Sequence, residues 1–323
     1  MNIVYGEMKE MSRKNETLLL ALPVIMENIL QTLLGTTDTY FAGQMADEAI
    51  AGIGVTNLIM NLFISFFTAV SVGTTAITAR AFGAGDREKV NRTVVHSMAL
   101  ALVLGIAVGL VCCLFSKPIL RISGAEEAVL SYALPYYLVV TVPSAVLCLQ
   151  LVLSACLRAV KDTRTPMYVT GGSNILNIGL NLLFIRMGLG IFGLGMATTL
   201  SRAAGAAVLF LRLKRSDSIL LHRCSLQGDT FHEIAAVGIP AGMEKLIMRT
   251  GQLVYNAMIL SLGTAAYVAH NVAGTIESYS YIPAMGFGLP GVWSAYALDI
   301  TVRGLLLLHR FQKGVFSKTV NGV

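Results

Sequence analysis

The sequence predicts an all-α protein that crosses a membrane several times. Hydrophobic residues make up 55% of the 323 residues and charged residues only 13%, and the mean hydropathy is +0.69. Apolar stretches of about 20 residues recur along the chain, which is the length that a helix needs to span a bilayer. This composition excludes a soluble globular core. We therefore expect a multi-pass protein whose main partner is the lipid bilayer.

These apolar stretches predict about nine spanning helices. Their approximate extents are Thr17–Thr37, Ala49–Ala79, Val94–Phe115, Ala128–Leu157, Pro166–Met187, Ile191–Leu213, Phe231–Leu260, Thr264–Gly288 and Gly291–His309. The first is too long for the core of a signal peptide, so it is retained as a helix. After the second helix, Gly83 and Gly85 suit a turn, and Asp86 suits the N-cap of the third helix.

The distribution of basic residues predicts the orientation, because cytoplasmic loops are enriched in lysine and arginine. Basic clusters lie in the N-terminal segment and in the second, fourth and sixth loops, for example at Lys14, Arg92, Arg164 and Arg215. We therefore expect the N-terminus on the cytoplasmic side of the cell membrane. The net charge of +6 comes from loop residues of this kind, so no nucleic-acid partner is expected.

The charge pattern breaks after Gly288. Only Leu289 and Pro290 separate the eighth apolar stretch from the ninth, and the ninth ends in a basic tail that contains Arg310 and Lys318. A ninth helix that follows directly would place this tail outside the cell, against the charge rule. The sequence therefore predicts that a segment is missing or displaced after Gly288.

An internal repeat divides the chain into two halves. The segment Leu22–Glu27 matches Ile239–Glu244, including a proline and a glutamate four residues later. Six predicted helices separate the copies, so the halves have the same orientation and are related by an axis along the membrane normal, as in several transporter folds. The predicted organisation is a cytoplasmic segment (1–15), a six-helix lobe (16–215), a cytoplasmic linker (216–230), an incomplete second lobe (231–310) and a basic tail (311–323).

Asp38 is the most informative residue of the first helix. It follows the apolar stretch Leu18–Leu34 and precedes another that begins at Ala49. A carboxylate at the bilayer centre costs about 2.5–3.5 kcal/mol, so such an acid faces the protein interior and usually marks an ion or proton path. The alternative is that Asp38 lies at the helix end among lipid headgroups and has no role.

Three asparagines of the fifth predicted helix, Asn174, Asn177 and Asn181, share one face because they are three and four residues apart. Facing inward, these amides could simply hydrogen-bond across helices and hold them together. The functional interpretation is a cation site, in which Asp38 supplies the charge and Asn177, Asn181 and Thr198 supply neutral oxygens. Sodium and other hard cations prefer oxygen ligands of this kind.

Two glutamates and a group of aromatic residues are further candidates. Glu27 and Glu244 occupy equivalent places in the repeats, where they either face a central cavity as coupling groups or cap helix starts. Tyr255, with other tyrosines and the 14 methionines, could line a pliable cavity, although such residues often only pack helices together.

The sequence carries no catalytic or metal-binding pattern. The five cysteines lack the spacing of a metal site, and no nucleophile with a nearby base is apparent at membrane depth. We therefore expect neither an enzyme nor a resident metal or cofactor.

Several motifs resemble the MATE (multidrug and toxic compound extrusion) family. They are Asp38–Gly43, Ala79–Asp86, Leu157–Met167 with its Asp-Thr-Arg-Thr-Pro-Met, and the asparagines of helix five followed by Ala197, Thr198, Ser201 and Arg202. The resemblance implies cation-coupled exporters with twelve helices in two six-helix lobes. About three of these helices would then be absent here between Gly288 and Gly291, and the loss of an odd number explains the displaced tail.

The resemblance also implies the site residues. Archaeal-type members have an Asp in the first helix, an Asn in helix five, an Asp four residues later and a Thr in helix six. Asp38, Asn177 and Thr198 match three of these positions, whereas residue 181 is Asn instead of Asp. A single carboxylate weakens a sodium site and favours protons, and burial, which penalises the charged form of a carboxyl group, suits a protonation switch.

The sequence thus predicts a secondary active antiporter that exports amphiphilic or cationic drugs and metabolites in exchange for H⁺ or Na⁺, as a monomer in the cell membrane. Loss of about three helices could impair it. One alternative is a lipid or polysaccharide flippase of the same superfamily, although few basic residues lie inside the predicted helices. Another is a remnant that no longer transports.

Overall fold

The computed structural model describes residues 22–31, 33, 35–216, 219 and 228–261. All regular elements in this part of the chain are helices, which confirms the all-α prediction. The chain divides into two compact units. The larger unit is Leu30–Leu253, and the second combines Met1–Ile29 with Val254–Val323, of which residues 22–29 and 254–261 are described and helical.

The first helix, α1, covers the described positions from 22 to 43. The following helices are α2 Asp47–Gly83, α3 Arg87–Leu114, α4 Ser116–Ile122, α5 Glu127–Thr141, α6 Ser144–Ala159, α7 Arg164–Arg186, α8 Gly190–Lys214 and α9 Gly228–Ser261. The short α4 was not predicted. The eighth and ninth predicted helices lie outside the described residues, and so does most of the predicted linker, so the predicted domain boundaries stay a prediction.

Three of the described helices are long and apolar enough to cross a membrane, namely Glu48–Gly83, Arg87–Leu114 and Gly190–Lys214. A fourth span results if α5 and α6, which meet at an angle of 49°, cross together. Apolar side chains project outward from these helices, for example Val103, which is 65% exposed, and Leu110, which is 58% exposed. Such surfaces suit a hydrocarbon environment.

The predicted span Ala128–Leu157 is not one continuous helix, because the helix breaks between Thr141 and Ser144. Pro143 lacks the N–H that a continuous helix needs, and its ring clashes with the preceding turn. Gly109 on α3 lies so close to the carbonyl oxygen of Val142 that an added Cβ would collide with it. The break is therefore held by a backbone-to-backbone contact with α3.

The turn between α2 and α3 has the predicted chemistry. Gly85 adopts a φ of 76°, a left-handed conformation that glycine adopts without steric cost. Asp86 then caps α3, and its carboxylate accepts a hydrogen bond from the backbone N–H of Lys89 at 2.9 Å. The sharp turn thereby aligns the cytoplasmic ends that were predicted for these two helices.

The apolar core of the larger unit lies where α2, α3, α5, α6 and α8 meet. Its largest buried members include Ile53, Phe67, Leu153, Leu157, Leu194 and Leu209. On another side of α2, α9 approaches through small residues: Gly73 meets the backbone of Ile234, and Gly238 meets the backbone of Ala69. Contacts between small residues allow such close approach of helices in membranes.

Candidate functional site

Asp38 on α1 is the centre of a buried polar cluster. Only 1% of the residue is exposed. Its Oδ1 accepts hydrogen bonds from the amide nitrogens of Asn181 at 3.1 Å and Asn177 at 3.4 Å. Its Oδ2 accepts hydrogen bonds from the hydroxyls of Tyr136 at 2.9 Å and of Thr198. The carboxylate is therefore enclosed by four neutral donors.

The asparagines come from one face of α7, as their spacing predicted. Asn177 and Asn181 are fully buried, and the amide nitrogen of Asn181 also donates to Oδ1 of Asn177 at 3.1 Å. Asn174 donates to the carbonyl of Leu30 on α1 at 2.6 Å. Asn174 thus joins two helices, whereas Asn177 and Asn181 contact the acid, and a cation site at these residues stays a prediction.

The outward face of α7 is apolar, in contrast to this buried face. Ile175 is 74% exposed, Ile178 is 41% exposed and Leu182 is 47% exposed. Polar side chains would be costly at such positions in a bilayer, so the amides have a strong reason to turn toward the protein interior. The sequence of α7 therefore determines which of its faces meets Asp38.

Thr198 connects α8 to α1 and to α7. Its hydroxyl accepts a hydrogen bond from the amide of Asn177 at 3.1 Å and donates one to Asp38. The next residue, Thr199, donates to the carbonyl of Val139 on α5 at 2.8 Å. Gly195 leaves room for this approach, since an added Cβ would come within 3.2 Å of Val139.

Two residues in or near the cluster were not predicted as site residues. Tyr136 is one of the tyrosines that the sequence suggested only as lining of a pliable cavity, but it is 2% exposed and its hydroxyl contacts Asp38. A buried tyrosine hydroxyl needs a hydrogen-bond partner, which is the one signal that could have indicated it. Arg202 was noted only as part of a motif, and it lies one turn after Thr198 on α8.

One acceptor in the cluster remains unused. Oδ1 of Asn181 is buried and has no hydrogen-bond partner within the described ranges. Leaving such a group unpaired costs about 1–3 kcal/mol. The cluster therefore has spare acceptor capacity next to Asp38, in addition to the lone pairs that the four donors already use.

The other predicted candidates have different surroundings. Glu27 lies on α1, in the smaller unit, and is 1% exposed, whereas Tyr255 on α9 is 53% exposed. Glu244 on α9 is exposed. Roles for these three residues in a cavity stay predictions. Across the described part of the chain, no group of three or more His, Cys, Asp or Glu residues is arranged to hold a metal ion.

Among the cavities lined by described residues of the larger unit, two border α9. An apolar cavity of about 460 Å³ is lined by residues of α2, α3 and α9, including Phe63, Phe67, Leu104 and Ile239. A more polar cavity of about 580 Å³ is lined by Arg80, Asp86, Lys89 and Glu233, among others. Lys89 and Glu233 form an ion pair with an N–O distance of 2.9 Å.

Several curated relatives of this chain are multidrug resistance or multidrug export proteins by name. The family model MatE matches residues 23–183. The probable multidrug resistance protein NorM of Thermotoga maritima is 33% identical over 283 residues, a match that covers 85% of this chain and 61% of the relative. The multidrug export protein MepA of Staphylococcus aureus is 25% identical over 271 residues, covering 82% of this chain and 60% of the relative. The chain thus spans about three fifths of the length of these relatives.

Solved structures with the same fold extend further along the chain. A crystal structure of MATE in the bent conformation has a TM-score of 0.79 at 23% identity, covering 90% of this chain and 69% of that one. A multidrug resistance MATE family transporter in an outward-facing conformation has a TM-score of 0.78 at 22% identity, covering 93% and 71%. These matches confirm the prediction of a two-lobe fold with an incomplete second lobe. The chain belongs to the MATE family of membrane transporters.

Proposed function

We propose that this chain is a secondary active antiporter that exports amphiphilic or cationic drugs and metabolites in exchange for H⁺ or Na⁺. The observation that carries the proposal is the buried carboxylate of Asp38, enclosed by donors from three other helices. The names of the relatives NorM and MepA support the substrate class. The cation site consists of Asp38, Asn177, Asn181 and Thr198, with Tyr136 as an additional member.

Binding of a cation at Asp38 changes the hydrogen bonds that its neighbours can make with it. An ionised carboxylate only accepts hydrogen bonds, whereas a protonated one also donates. The asparagine amides on Oδ1 cannot accept through their NH₂ groups, but the hydroxyls of Tyr136 and Thr198 on Oδ2 can turn and accept. Oδ2 is therefore the oxygen that can take a proton with the smallest rearrangement.

This exchange of roles can bias the conformation of the lobe. When Oδ2 carries a proton, at least one of the hydroxyls of Tyr136 and Thr198 must turn from donor to acceptor. The hydroxyl of Thr198 also accepts a hydrogen bond from the amide of Asn177. A given arrangement of α1, α5, α7 and α8 therefore has one free energy when Asp38 is protonated and another when it is ionised. A ligand that binds one arrangement better than another shifts the population of conformations, which is what alternating access requires.

The apolar cavity between α2, α3 and α9 supports an amphiphilic substrate. Its lining is aromatic and aliphatic, with Phe63, Phe66 and Phe67 on one helix. Cavities of about 300–1,000 Å³ with such linings commonly hold drug-sized molecules. We further propose that the protein acts as a monomer in the cell membrane with its N-terminus in the cytoplasm, as the basic clusters predict.

The test is the variant Asp38→Asn in the purified chain, reconstituted in liposomes that contain the organic cation ethidium. Imposed proton or sodium gradients should drive ethidium exchange in the unmodified chain, and Asp38→Asn should reduce it to background. Glu126→Gln, which alters an exposed acid, is the matched control and should exchange normally. Exchange by Asp38→Asn at the unmodified rate would remove Asp38 from the mechanism, and no exchange by the unmodified chain would contradict transport.

A further inference from the structure

We propose that the polar cavity between α2, α3 and α9 binds the headgroup of a zwitterionic phospholipid with a primary amine, namely phosphatidylethanolamine. None of the residues that line this cavity belongs to the Asp38 cluster. The inference goes beyond the proposed function, because a lipid can bind here whether or not the chain transports.

The cavity lies at the adjoining ends of two membrane-spanning helices. Arg80 is in the last turn of α2, Asp86 is the N-cap of α3, and Lys89 is in the first turn of α3. Both helices are long and apolar enough to cross a membrane, so their ends lie where the hydrocarbon layer meets the lipid headgroups. A headgroup therefore reaches this cavity of about 580 Å³ without leaving the membrane surface.

Four charged side chains line the cavity, two of each sign. Lys89 and Glu233 form an ion pair with each other at 2.9 Å. The guanidinium of Arg80 has no hydrogen bond or ion pair with any residue that the structure describes. Oδ1 of Asp86 caps α3, and its Oδ2 accepts no hydrogen bond from those residues either. The cavity thus presents one cation and one anion that are not paired with each other.

An unpaired arginine and an unpaired aspartate favour a ligand that carries both charges. Arginine binds a phosphate group through two parallel N–H donors, and a carboxylate oxygen accepts hydrogen bonds from a primary ammonium group. A ligand with negative charge alone would also meet Asp86 and Glu233, and like charges repel. Phosphatidylethanolamine carries a phosphate and an ammonium group next to each other, so it satisfies both free groups of the cavity.

The rest of the lining suits the hydrocarbon part of a lipid. The uncharged lining residues are four alanines, Ile77 and Val237. Along α2, Arg80, Ala76 and Val72 are four residues apart and share one face, and all three are exposed. This face leads from the cavity into the span, where an acyl chain can cover its apolar surface. A soluble zwitterion has no such chain, so we expect the ligand to come from the membrane.

Native mass spectrometry of the purified full chain in detergent tests the site with three dioleoyl lipids. They are phosphatidylethanolamine, phosphatidylcholine, whose quaternary amine has no N–H donor, and phosphatidylglycerol, which has no amine. We expect phosphatidylethanolamine to bind about fivefold more tightly than either of the others, the equivalent of one charge contact at a membrane surface. An excess of inorganic phosphate should not displace it.

Three variants test the two free charges. Arg80→Gln should weaken phosphatidylethanolamine binding about fivefold, because it removes the charge that holds the phosphate. Asp86→Asn keeps a good N-cap for α3 and removes the acid, so it should bind phosphatidylglycerol at least as tightly as phosphatidylethanolamine. Arg87→Gln is the matched control, because Arg87 is an exposed neighbour that does not line the cavity, and it should bind like the unmodified chain.

Three results would overturn the proposal. Equal binding of phosphatidylethanolamine and phosphatidylglycerol by the unmodified chain would indicate only general attraction of lipids to a basic surface. Equal effects of Arg80→Gln and Arg87→Gln would mean the same. Displacement of the lipid by inorganic phosphate would show that the cavity takes phosphate from solution. Arg80→Lys, which keeps the charge without the paired donors, replaces Arg80→Gln if that variant does not fold, and should weaken binding less. Loss of transport in any assay leaves these binding results unaffected, so the two proposals fail separately.

Discussion

The phenol oxygen of Tyr136 lies 2.9 Å from Oδ2 of Asp38, although 98 positions separate the two residues in the sequence. This hydrogen bond joins α5 to α1 within the buried cluster. It gives the hydroxyl of a buried tyrosine a carboxylate oxygen as its acceptor, so the hydroxyl is not left unpaired.

Replacing Tyr136 with phenylalanine removes this hydrogen bond and keeps the ring in place. We expect a loss of about 1–3 kcal/mol in the free energy of unfolding, because a charged acceptor loses one of its donors. Thermal unfolding of the purified chain measures the effect. Tyr132→Phe, one turn earlier on the same helix, is the control and should change stability little. Equal effects of the two variants would contradict a specific role for the Tyr136 hydroxyl.

Asn181→Asp adds a second carboxylate beside Asp38 and removes the donor that holds Oδ1. Two carboxylates this close cannot both stay ionised without a large cost, so we expect the chain to lose about 1–3 kcal/mol of stability at neutral pH. Acidification supplies a proton that the pair can share, so the loss should shrink as the pH falls.

Thermal unfolding of Asn181→Asp at pH 5 and pH 8 tests whether the loss of stability is smaller at the lower pH. Asn181→Leu is the control, since it removes the same amide without adding a titratable group. Its destabilisation should depend on pH less steeply than that of Asn181→Asp, because only Asp38 titrates in that variant. The same pH dependence in both variants would show that the two carboxyl groups do not interact.

Gly73→Ala tests the close contact between α2 and α9. The added Cβ would collide with the carbonyl oxygen of Ile234, and overpacking of this kind costs about 1–3 kcal/mol. We expect a lower unfolding midpoint. Gly54→Ala on the same helix meets no atom within 4 Å, so it should be neutral or stabilising, because alanine favours helices more than glycine does. Similar behaviour of both variants would indicate that α2 and α9 do not pack closely.

Transport by this chain should be weaker than transport by a relative of full length. The chain covers 61% of the Thermotoga maritima relative, and the helices predicted to be missing after Gly288 would leave its second lobe incomplete. The measurement compares drug resistance in a drug-susceptible host that expresses either protein at matched levels. Resistance equal to that of the relative would mean that the missing helices are dispensable.

The core of the site was predictable because its signals are local. Polar residues at helical spacing in an apolar segment are expected to face the protein interior. A buried carboxylate needs hydrogen-bond donors, and such a polar face supplies them. Asp38, Asn177, Asn181 and Thr198 could therefore be grouped from the sequence. Their assembly into one hydrogen-bonded cluster agrees with that grouping, while the ion that binds there stays a proposal.

The remaining features depend on tertiary contacts, which the local sequence does not indicate. Tyr136 resembles any aromatic residue of an apolar helix until α1 and α8 bring Asp38 and Thr198 around it. The helix break was missed because α5 contains Pro135 without ending there, so a proline alone does not indicate a break. What distinguishes Pro143 is its environment, where Gly109 of α3 approaches the neighbouring backbone.

The bend at Val142 and Pro143 makes α5 a short helix of its own. The segment that carries Tyr136 is only 15 residues long, and no continuous helix runs from it into α6. Both helices are packed in the apolar core, α5 through Tyr136 and Val140 and α6 through Leu153 and Leu157. The hydrogen bond of Tyr136 thus connects Asp38 to a helix whose backbone ends five residues later, at Thr141.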